Sequence, residues 1–505
     1  METPEENAGA GLPSGRRRLR VLHVAMELAP WAKVGGLADV LAGLPGAQAA
    51  QGDEVEVVIP YHTCADWPEN QIRPLPNGAF TLDLGGLEVR VELLLLHHPG
   101  GFRVILVRNP DLYDRHGIYH EPHSADRFGD ALIRRSTLCH AALRYALLDG
   151  RPWDVIHAHD AAGALTVPLA HYRFRETALG RARRVFTVHN LGYLESHPLD
   201  SLHFAGLPRE DAYPGGPLEF WGGFSALKAA LIYADRILTV SPTYAREVLE
   251  DPAIGGPMQG VVQSRREVWT GILNGIDRKT WNPAADPHLV AGFDARDFGG
   301  REACRRELRE LAALEPRRAG EPEVVVVGVV SRLVHQKGLD MLAESIPSLV
   351  RQGLRFAVVG TGEPDLEDRF SALACEHPGG VWTSLDSREP VARKVFAGSD
   401  LFCVPSLYEP CGLTQQYALL YGSTPVVRRT GGLADTVDQE VGFLFDPPRA
   451  DELARTLKEG AEAVRNKARH RPMQVAGMGR GRSWESVADE IRGRVYLDGA
   501  ARPNP

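Results

Sequence analysis

Residues able to do chemistry cluster at the ends of short apolar runs. Lys33-Val34-Gly35-Gly36-Leu37-Ala38-Asp39 follows the first such run. Two glycines there let backbone N–H groups approach a ligand, and a helix opening behind them offers its positive N-terminus, a setting for a phosphate or sugar oxygen. A tight strand-to-helix turn without a ligand fits the same residues. The segment is neither Gly-x-Gly-x-x-Gly nor a Walker loop, which weakens nicotinamide and ATP readings. His157-Ala158-His159-Asp160 and Thr187-Val188-His189-Asn190 end two further runs. Histidines two apart suit a metal, but no third ligand of an ordinary zinc site stands nearby, and a strand-end histidine is often only a hydrogen-bonded core residue. Polar groups at successive strand ends suit a hydroxyl-rich ligand better. In the second half, Val330 to Gly338 carries Arg332 and Lys337 at a strand-to-helix junction. Solvated surface cations are the ordinary alternative; at this position a guanidinium fork and an ammonium can share a diphosphate. Gly360-Thr361-Gly362 follows another run, and Tyr408 to Thr414 opens a helix. Glu409 there is either a helix-start carboxylate favoured by the dipole or an acceptor for sugar hydroxyls.

These residues need a scaffold, and the repeated unit of apolar run, polar turn and helical stretch predicts parallel sheets with crossover helices. Six strands are expected at Leu19 to Ala25, Val55 to Ile59, Val104 to Val107, Asp154 to His157, Val185 to Val188 and Ile237 to Val240. A second sheet is expected from Val324 to Val330, Arg355 to Val359, Leu401 to Val404 and Thr424 to Val427, with helices near Gly338 to Val350, Leu366 to Ala374 and Leu413 to Tyr421. Between them Asp286 to Gly320 is polar, Pro316 to Glu323 reads as a linker, and the hinge is expected near Asn274 to Pro283. The fold class is therefore α/β: two doubly wound domains facing a deep cleft, with ligands outside the carboxyl ends of the strands. Gly-Gly-Leu-Ala-Asp occurs at 35 to 39 and at 431 to 435, at different points of the two halves, and reads as convergent turn chemistry.

Composition narrows the class. At about 150 residues per domain, 505 residues give two to four domains. The chain is 44% hydrophobic and 24% charged, as in ordinary globular proteins. Its 57 basic and 65 acidic side chains give a net charge of −8, which argues against nucleic acid or anionic lipid as a partner. Six cysteines without a Cys-x-x-Cys pair indicate neither a disulfide framework nor a zinc ribbon and fit a reducing compartment. No apolar run approaches the roughly 20 residues of a membrane span. Arg16, Arg17 and Arg18 precede only Val21 to Met26, too short for an export signal's apolar core, and Glu2, Glu5 and Glu6 oppose a transit peptide. A loose tail on a cytoplasmic protein is expected.

In combination and order, KVGGLADV (33 to 40), HAHD (157 to 160), TVHN (187 to 190), TVSPTYARE (239 to 247), ILNGID (272 to 277), SRLVHQKGLD (331 to 340) and EPCGLTQQYALLYGSTPVVRRTGGLADTV (409 to 437) resemble the bacterial glycogen synthases of the retaining GT-B class, glycosyltransferase family 5, shared with plant starch synthases. The likeness runs from about Leu19 to Tyr496. It implies a GT-B fold with a tail at 1 to 18, an acceptor-side domain at 19 to 273, a donor-side domain at 274 to 482, and a C-terminal helix at 483 to 499 packing back on the first domain. It also implies transfer of glucose from ADP-glucose to glycogen or a maltooligosaccharide with retention, with no metal or other cofactor. By position, Lys33, Gly35 and Gly36 are implied at the donor's diphosphate or sugar. Asp39, Asp160 and His189 are implied at the transferred glucose and acceptor, with Asn274 reaching the sugar from the domain junction. Arg332 and Lys337 are implied at the diphosphate and Glu409 at glucose hydroxyls. Cys411, Gly412, Leu413 and Thr414 are implied to present N–H groups to phosphate, Gly360 and Gly362 to lie on the donor side, and Tyr113 to be an acceptor-side aromatic.

The sequence departs from the family at Val34, at Ala161 where a Trp normally follows His-Ala-His-Asp, at Gly192 and Leu194, and at Ser384 to Ser387, where an aromatic is expected. These changes bear on the acceptor more than on the donor. Two alternatives are a GT-B enzyme with another donor or acceptor and a non-catalytic glucan-binding homologue. Tyr417 stands eight after Glu409, where many other GT-B enzymes carry a second Glu, and Lys33, Arg332, Lys337 and Glu409 are all present, which opposes both.

Overall fold

The computed structural model describes residues 16–121, 127–148, 150–315, 323–385 and 388–499. The expected tail up to residue 15, linker residues 316 to 322 and Ser387 lie outside the described residues.

The strands in chain order are β1 (Arg20–Val24), β2 (Glu54–Pro60), β3 (Arg73–Leu84), β4 (Leu87–His97), β5 (Arg103–Arg108), β6 (Val155–His159), β7 (Arg183–Val188), β8 (His197–Pro198), β9 (Glu219–Phe220), β10 (Gly223–Phe224), β11 (Arg236–Thr239) and β12 (Trp269–Gly271). The second half adds β13 (Val325–Val330), β14 (Leu354–Val359), β15 (Val381–Ser384), β16 (Leu401–Val404), β17 (Thr424–Arg428) and β18 (Phe443–Phe445). The first sheet has nine strands, ordered β12-β11-β7-β6-β1-β2-β5-β4-β3, where six were expected. β12 is only three residues long. β3 and β4 form an antiparallel hairpin at the edge, and its sequence signal was Gly85-Gly86 between two alternating runs, both glycines adopting positive φ at the turn. The second sheet, β15-β14-β13-β16-β17-β18, is parallel throughout, with β15 and β18 added to the four expected strands. Its strands are β-branched runs buried on both faces, as at Val325–Val330.

Each sheet reverses its winding beside its first strand: between β1 and β6 in the first, between β13 and β16 in the second. The helices covering the faces bury one stripe each; in Leu339–Val350 the buried positions Leu339, Leu342, Ile346 and Leu349 recur at helical spacing.

The chain crosses between domains twice, side by side. Ile276 N–H donates to Arg482 C=O, and Ile276 bridges Ser483. Beyond that crossing, helix Trp484–Ile491 lies on helix Gly36–Ala50, with Trp484, Val487, Ile491 and Val495 buried in the core of the first sheet. Each such side chain contributes about 1.5–3 kcal/mol by burial. Residues of the TVSPTYARE motif make a third connection: Ser241 and Thr243 hydroxyls donate to Asp435, and Glu247 accepts from Thr430 and from Gly431 N–H. The second Gly-Gly-Leu-Ala-Asp thus starts helix Gly431–Thr436, whose Asp435 is held by the first domain.

Candidate active site

The carboxyl ends flanking both reversal points carry the residues singled out in the sequence. Lys33 to Asp39 follows β1, Asp160 follows β6, and His189 follows β7 one strand further out. Arg332 and Lys337 follow β13; Glu409 to Thr414 follows β16. These two sets meet across the cleft. Arg332 donates to the Tyr193 hydroxyl at 2.6 Å, its guanidinium 5.8 Å from the ring centroid. Tyr408 hydrogen-bonds Asn190, the Cys411 thiol lies against Asn274, and a Cβ on Gly36 would stand 3.2 Å from Leu413 Cδ1.

Two cations are already paired. Lys33 Nζ sits 2.7 Å from Asp39 Oδ1. Lys337 Nζ sits 2.6 Å from Glu409 Oε2, which also accepts from Ser406 Oγ at 2.9 Å. Burial raises the Asp39 carboxyl while Lys33 pulls it down. Arg332 has only the neutral Tyr193 phenol, with no carboxylate within ion-pair reach among the described residues. An anion entering the cleft meets one guanidinium free of counter-charge and two ammoniums held in place by carboxylates. Charge-assisted bonds to a diphosphate are the chemistry this arrangement favours.

The opposite wall is built from uncharged imidazoles. His23 on β1 pairs in register with His157 on β6, and His159, two residues on, projects to the same face. His23 Nδ1 is 3.0 Å from His159 Nε2, and His159 Nδ1 is 3.1 Å from His189 Nε2. His157 bonds the Tyr496 hydroxyl and Thr187 Oγ1 at 2.7 and 2.6 Å. Burial holds all four imidazoles below their ordinary range, His23 at about 4 and His189 at about 3. His23 supplies the third imidazole that sequence spacing did not reveal, but all six ring nitrogens of His23, His157 and His159 already have hydrogen-bond partners. A metal there would have to break that set.

Asp160 adopts a left-handed backbone, φ 50°, which a residue with a Cβ rarely takes and which recurs at functional sites. Its carboxylate accepts the His189 N–H at 2.7 Å; burial nevertheless pushes its carboxyl up to about 7, against the pull of the His189 and Asn190 amides. His189 and Asn274 line one small gap with His159, Thr187 and Trp484.

Several expectations need correction. Tyr113 is no acceptor-side platform: it is 1% exposed and donates its hydroxyl to Arg134 C=O inside the core. Gly35 offers no amide to a ligand, because Glu27 Oε2 accepts both the Val34 and Gly35 N–H groups at 2.8 Å. Gly360 and Gly362 likewise donate to Ser384 C=O and Glu367 Oε1. They are glycine because the segment after β13 that bears Arg332 presses on them; a Cβ would meet Ser331 O and Leu333 O at about 2 Å. Their part is to seat residues 331 to 333. Cys411, Gly412, Leu413 and Thr414 do lie at the start of helix Thr414–Leu420, on the cleft. Ala161 is half-buried in the first turn after Asp160.

Sequence reasoning missed Glu27, whose other oxygen takes the Tyr119 hydroxyl and which fixes the 33 to 36 turn from beneath. It also missed Gln48 and Tyr496. A glutamate three residues past the end of β1, at the close of an apolar run, was a usable signal; Tyr496 lies more than 300 residues from its partners and gave none.

Known proteins resemble the chain along nearly its whole length. Residues 20–264 match the profile of the starch synthase catalytic domain, and residues 323–462 that of the group 1 glycosyl transferases. Glycogen synthase of Anaeromyxobacter dehalogenans is 38% identical over 479 residues, 93% of this chain and 97% of that one. Glycogen synthase of Pectobacterium carotovorum is 37% identical, covering 95% and 99%. The catalytic domain of starch synthase IV from Arabidopsis thaliana, solved bound to ADP and acarbose, superposes with a TM-score of 0.86 at 30% identity, covering 95% of this chain and 99% of that one.

Proposed function

The chain belongs to the family of bacterial glycogen synthases and starch synthases, retaining glycosyltransferases of the GT-B fold, and we propose how its cleft carries out the transfer. The reaction moves glucose from ADP-glucose to the non-reducing end of an α-1,4-glucan, releasing ADP. One observation carries the residue assignments: two doubly wound sheets turn their reversal points toward each other, with Arg332 and Lys337 on one side and Lys33, Asp39 and neutral hydrogen-bonding groups on the other.

Breaking the bond between the anomeric carbon and ADP leaves negative charge on phosphate and positive character on the sugar. Arg332, Lys337 and the 411 to 414 turn take the growing phosphate charge, an effect worth about 2.7–4 kcal/mol per donor removed in comparable sites. Lys33 reaches the donor from the other wall. Glu409, steadied by Lys337 and Ser406, accepts hydrogen bonds from glucose hydroxyls. Asp39, Asp160, His189 and Asn274 surround the transferred glucose and the incoming hydroxyl. The acceptor's 4-hydroxyl attacks on the face the phosphate leaves, so configuration is retained, and a departing phosphate oxygen takes the hydroxyl proton. Apposition of the two walls keeps water from competing. Charge stabilisation comes from these side chains and amides, without a metal or organic cofactor. No described helix is long and apolar enough to cross a membrane, in keeping with a cytoplasmic enzyme whose partners are a nucleotide sugar and a glucan.

The test is a donor panel with glycogen as acceptor, following nucleotide release with and without chelator. ADP-glucose is expected to react much faster than UDP-glucose, unaffected by chelation. Preference for UDP-glucose refutes the donor assignment; loss of turnover on chelation, restored by magnesium or zinc, refutes the metal-free mechanism.

A further inference from the structure

Seven side chains form one unbroken hydrogen-bonded series from the cleft to the C-terminal segment. His189 Nε2 meets His159 Nδ1; His159 Nε2 meets His23 Nδ1; His23 Nε2 meets Gln48 Oε1 at 2.9 Å. Gln48 Nε2 then donates to the Tyr496 hydroxyl at 3.0 Å, which meets His157 Nδ1, whose Nε2 meets Thr187 Oγ1. The carbonyl oxygen of Gln48 can only accept and its amide nitrogen can only donate. His23 must therefore carry its proton on Nε2. A neutral imidazole has one N–H, so His23 Nδ1 accepts from His159 Nε2–H, and His159 Nδ1 accepts from His189 Nε2–H. On the other arm Gln48 occupies a lone pair of the Tyr496 oxygen, freeing its O–H for His157 Nδ1, and His157 Nε2–H goes to Thr187. Every link holds one proton, and no member needs a charge.

We propose that Gln48 and Tyr496 are positioning residues that fix His189 as its Nε2–H tautomer, leaving Nδ1 as a bare acceptor facing the cleft. No hydrogen bond from any described residue reaches that nitrogen. It receives the hydrogen of a substrate hydroxyl, which the other tautomer, offering an N–H, would repel. The relay also couples the cleft to the segment after the second domain crossing, since Tyr496 packs in the first domain only when Trp484–Ile491 is docked there. This assignment rests on the reading that His189 faces the transferred sugar or its acceptor.

The test uses full-length protein labelled with ¹⁵N-histidine, with His189 assigned by the signals lost in His189→Ala. In the wild type, Nε2 of His189 should carry the proton and Nδ1 should not. Gln48→Met keeps the volume but removes the acceptor, and Tyr496→Phe removes one oxygen; either should give mixed tautomers at His189. Each should lower kcat about tenfold or more with the ADP-glucose KM little changed, and neither should lower kcat further in a His189→Ala background. Protonated Nδ1 in the wild type, or spectra unchanged in both variants, overturns the proposal. Equal kcat losses with and without His189 overturn it too, since the two residues then act structurally. Full activity of His189→Ala would sink the role of His189 at the sugar, while the nitrogen spectra would still judge the relay by itself.

Discussion

Lys337→Ala separates two jobs that one ammonium performs. In the unliganded cleft it neutralises Glu409, whose side chain is only 8% exposed, at 2.6 Å; in the reaction it faces the leaving phosphate. Removing one partner of a fully buried pair costs about 3–5 kcal/mol. Lys337 keeps 18% exposure and Ser406 still donates to the orphaned carboxylate, so about 1–3 kcal/mol is the better figure, a fall in Tm of a few degrees for domains of this size. Loss of one charge aimed at the transition state costs about 10²–10³-fold in kcat. Glu409→Gln added to Lys337→Ala removes the uncompensated charge, so the double variant should recover much of the lost Tm but none of the lost kcat. Nucleotide release at saturating ADP-glucose and glycogen, with melting curves of the single and double variants, measures both. Near-normal kcat with only a raised KM would mean that Lys337 binds ground and transition states equally. Recovery of kcat in the double variant would mean that it serves only to neutralise Glu409. Either result refutes the assignment.

Asp160→Asn reports on the carboxyl that burial lifts to about 7 from an unfolded value of 3.8: between these pH values the folded protein keeps a proton the unfolded chain gives up, so the wild type loses stability as pH rises. The Tm of Asp160→Asn relative to wild type should therefore climb from pH 5 to pH 8, and a constant difference would contradict the shift. Tyr113→Phe should cost about 0.5–1.5 kcal/mol of stability by removing one buried hydrogen bond, since Arg134 C=O keeps its place in the helix ladder, with the KM for maltotriose unchanged; a raised KM would return Tyr113 to the acceptor side. Gly412→Ala places a Cβ 2.4 Å from Gln415 Oε1 at φ +72°, so about 1–2 kcal/mol of strain should distort the turn and lower kcat/KM for ADP-glucose at least about tenfold. Unchanged kinetics in a variant with lowered Tm would remove that turn from the donor site.

Local chemistry made much of this protein legible in advance. Runs such as Val325–Val330 are buried on both faces and must be central parallel strands, and glycines and cations just past them mark strand-end loops whatever the rest of the chain does. The placing of Lys33, Asp160, His189, Arg332, Lys337 and Glu409 at strand ends followed from that pattern, and the motif order carried the family and its reaction. The edge strands β12, β15 and β18 escaped because three or four residues carry too little periodicity to stand out; the long β3–β4 hairpin was also missed, although Gly85-Gly86 between two alternating runs marks it. What only tertiary structure decided is which groups are spent on each other. The Gly35 amide looked available until Glu27 was found beneath it, Tyr113 looked like a platform until its hydroxyl was found on Arg134 C=O, and paired histidines looked like half a metal site until His23, Gln48 and Tyr496 accounted for their nitrogens. A hydrogen bond is fixed by position in space and sequence spacing constrains it only within one turn or one strand, so contacts such as Arg332 with Tyr193 or His157 with Tyr496, 139 and 339 residues apart, exist only once both domains and the returning C-terminal helix are in place.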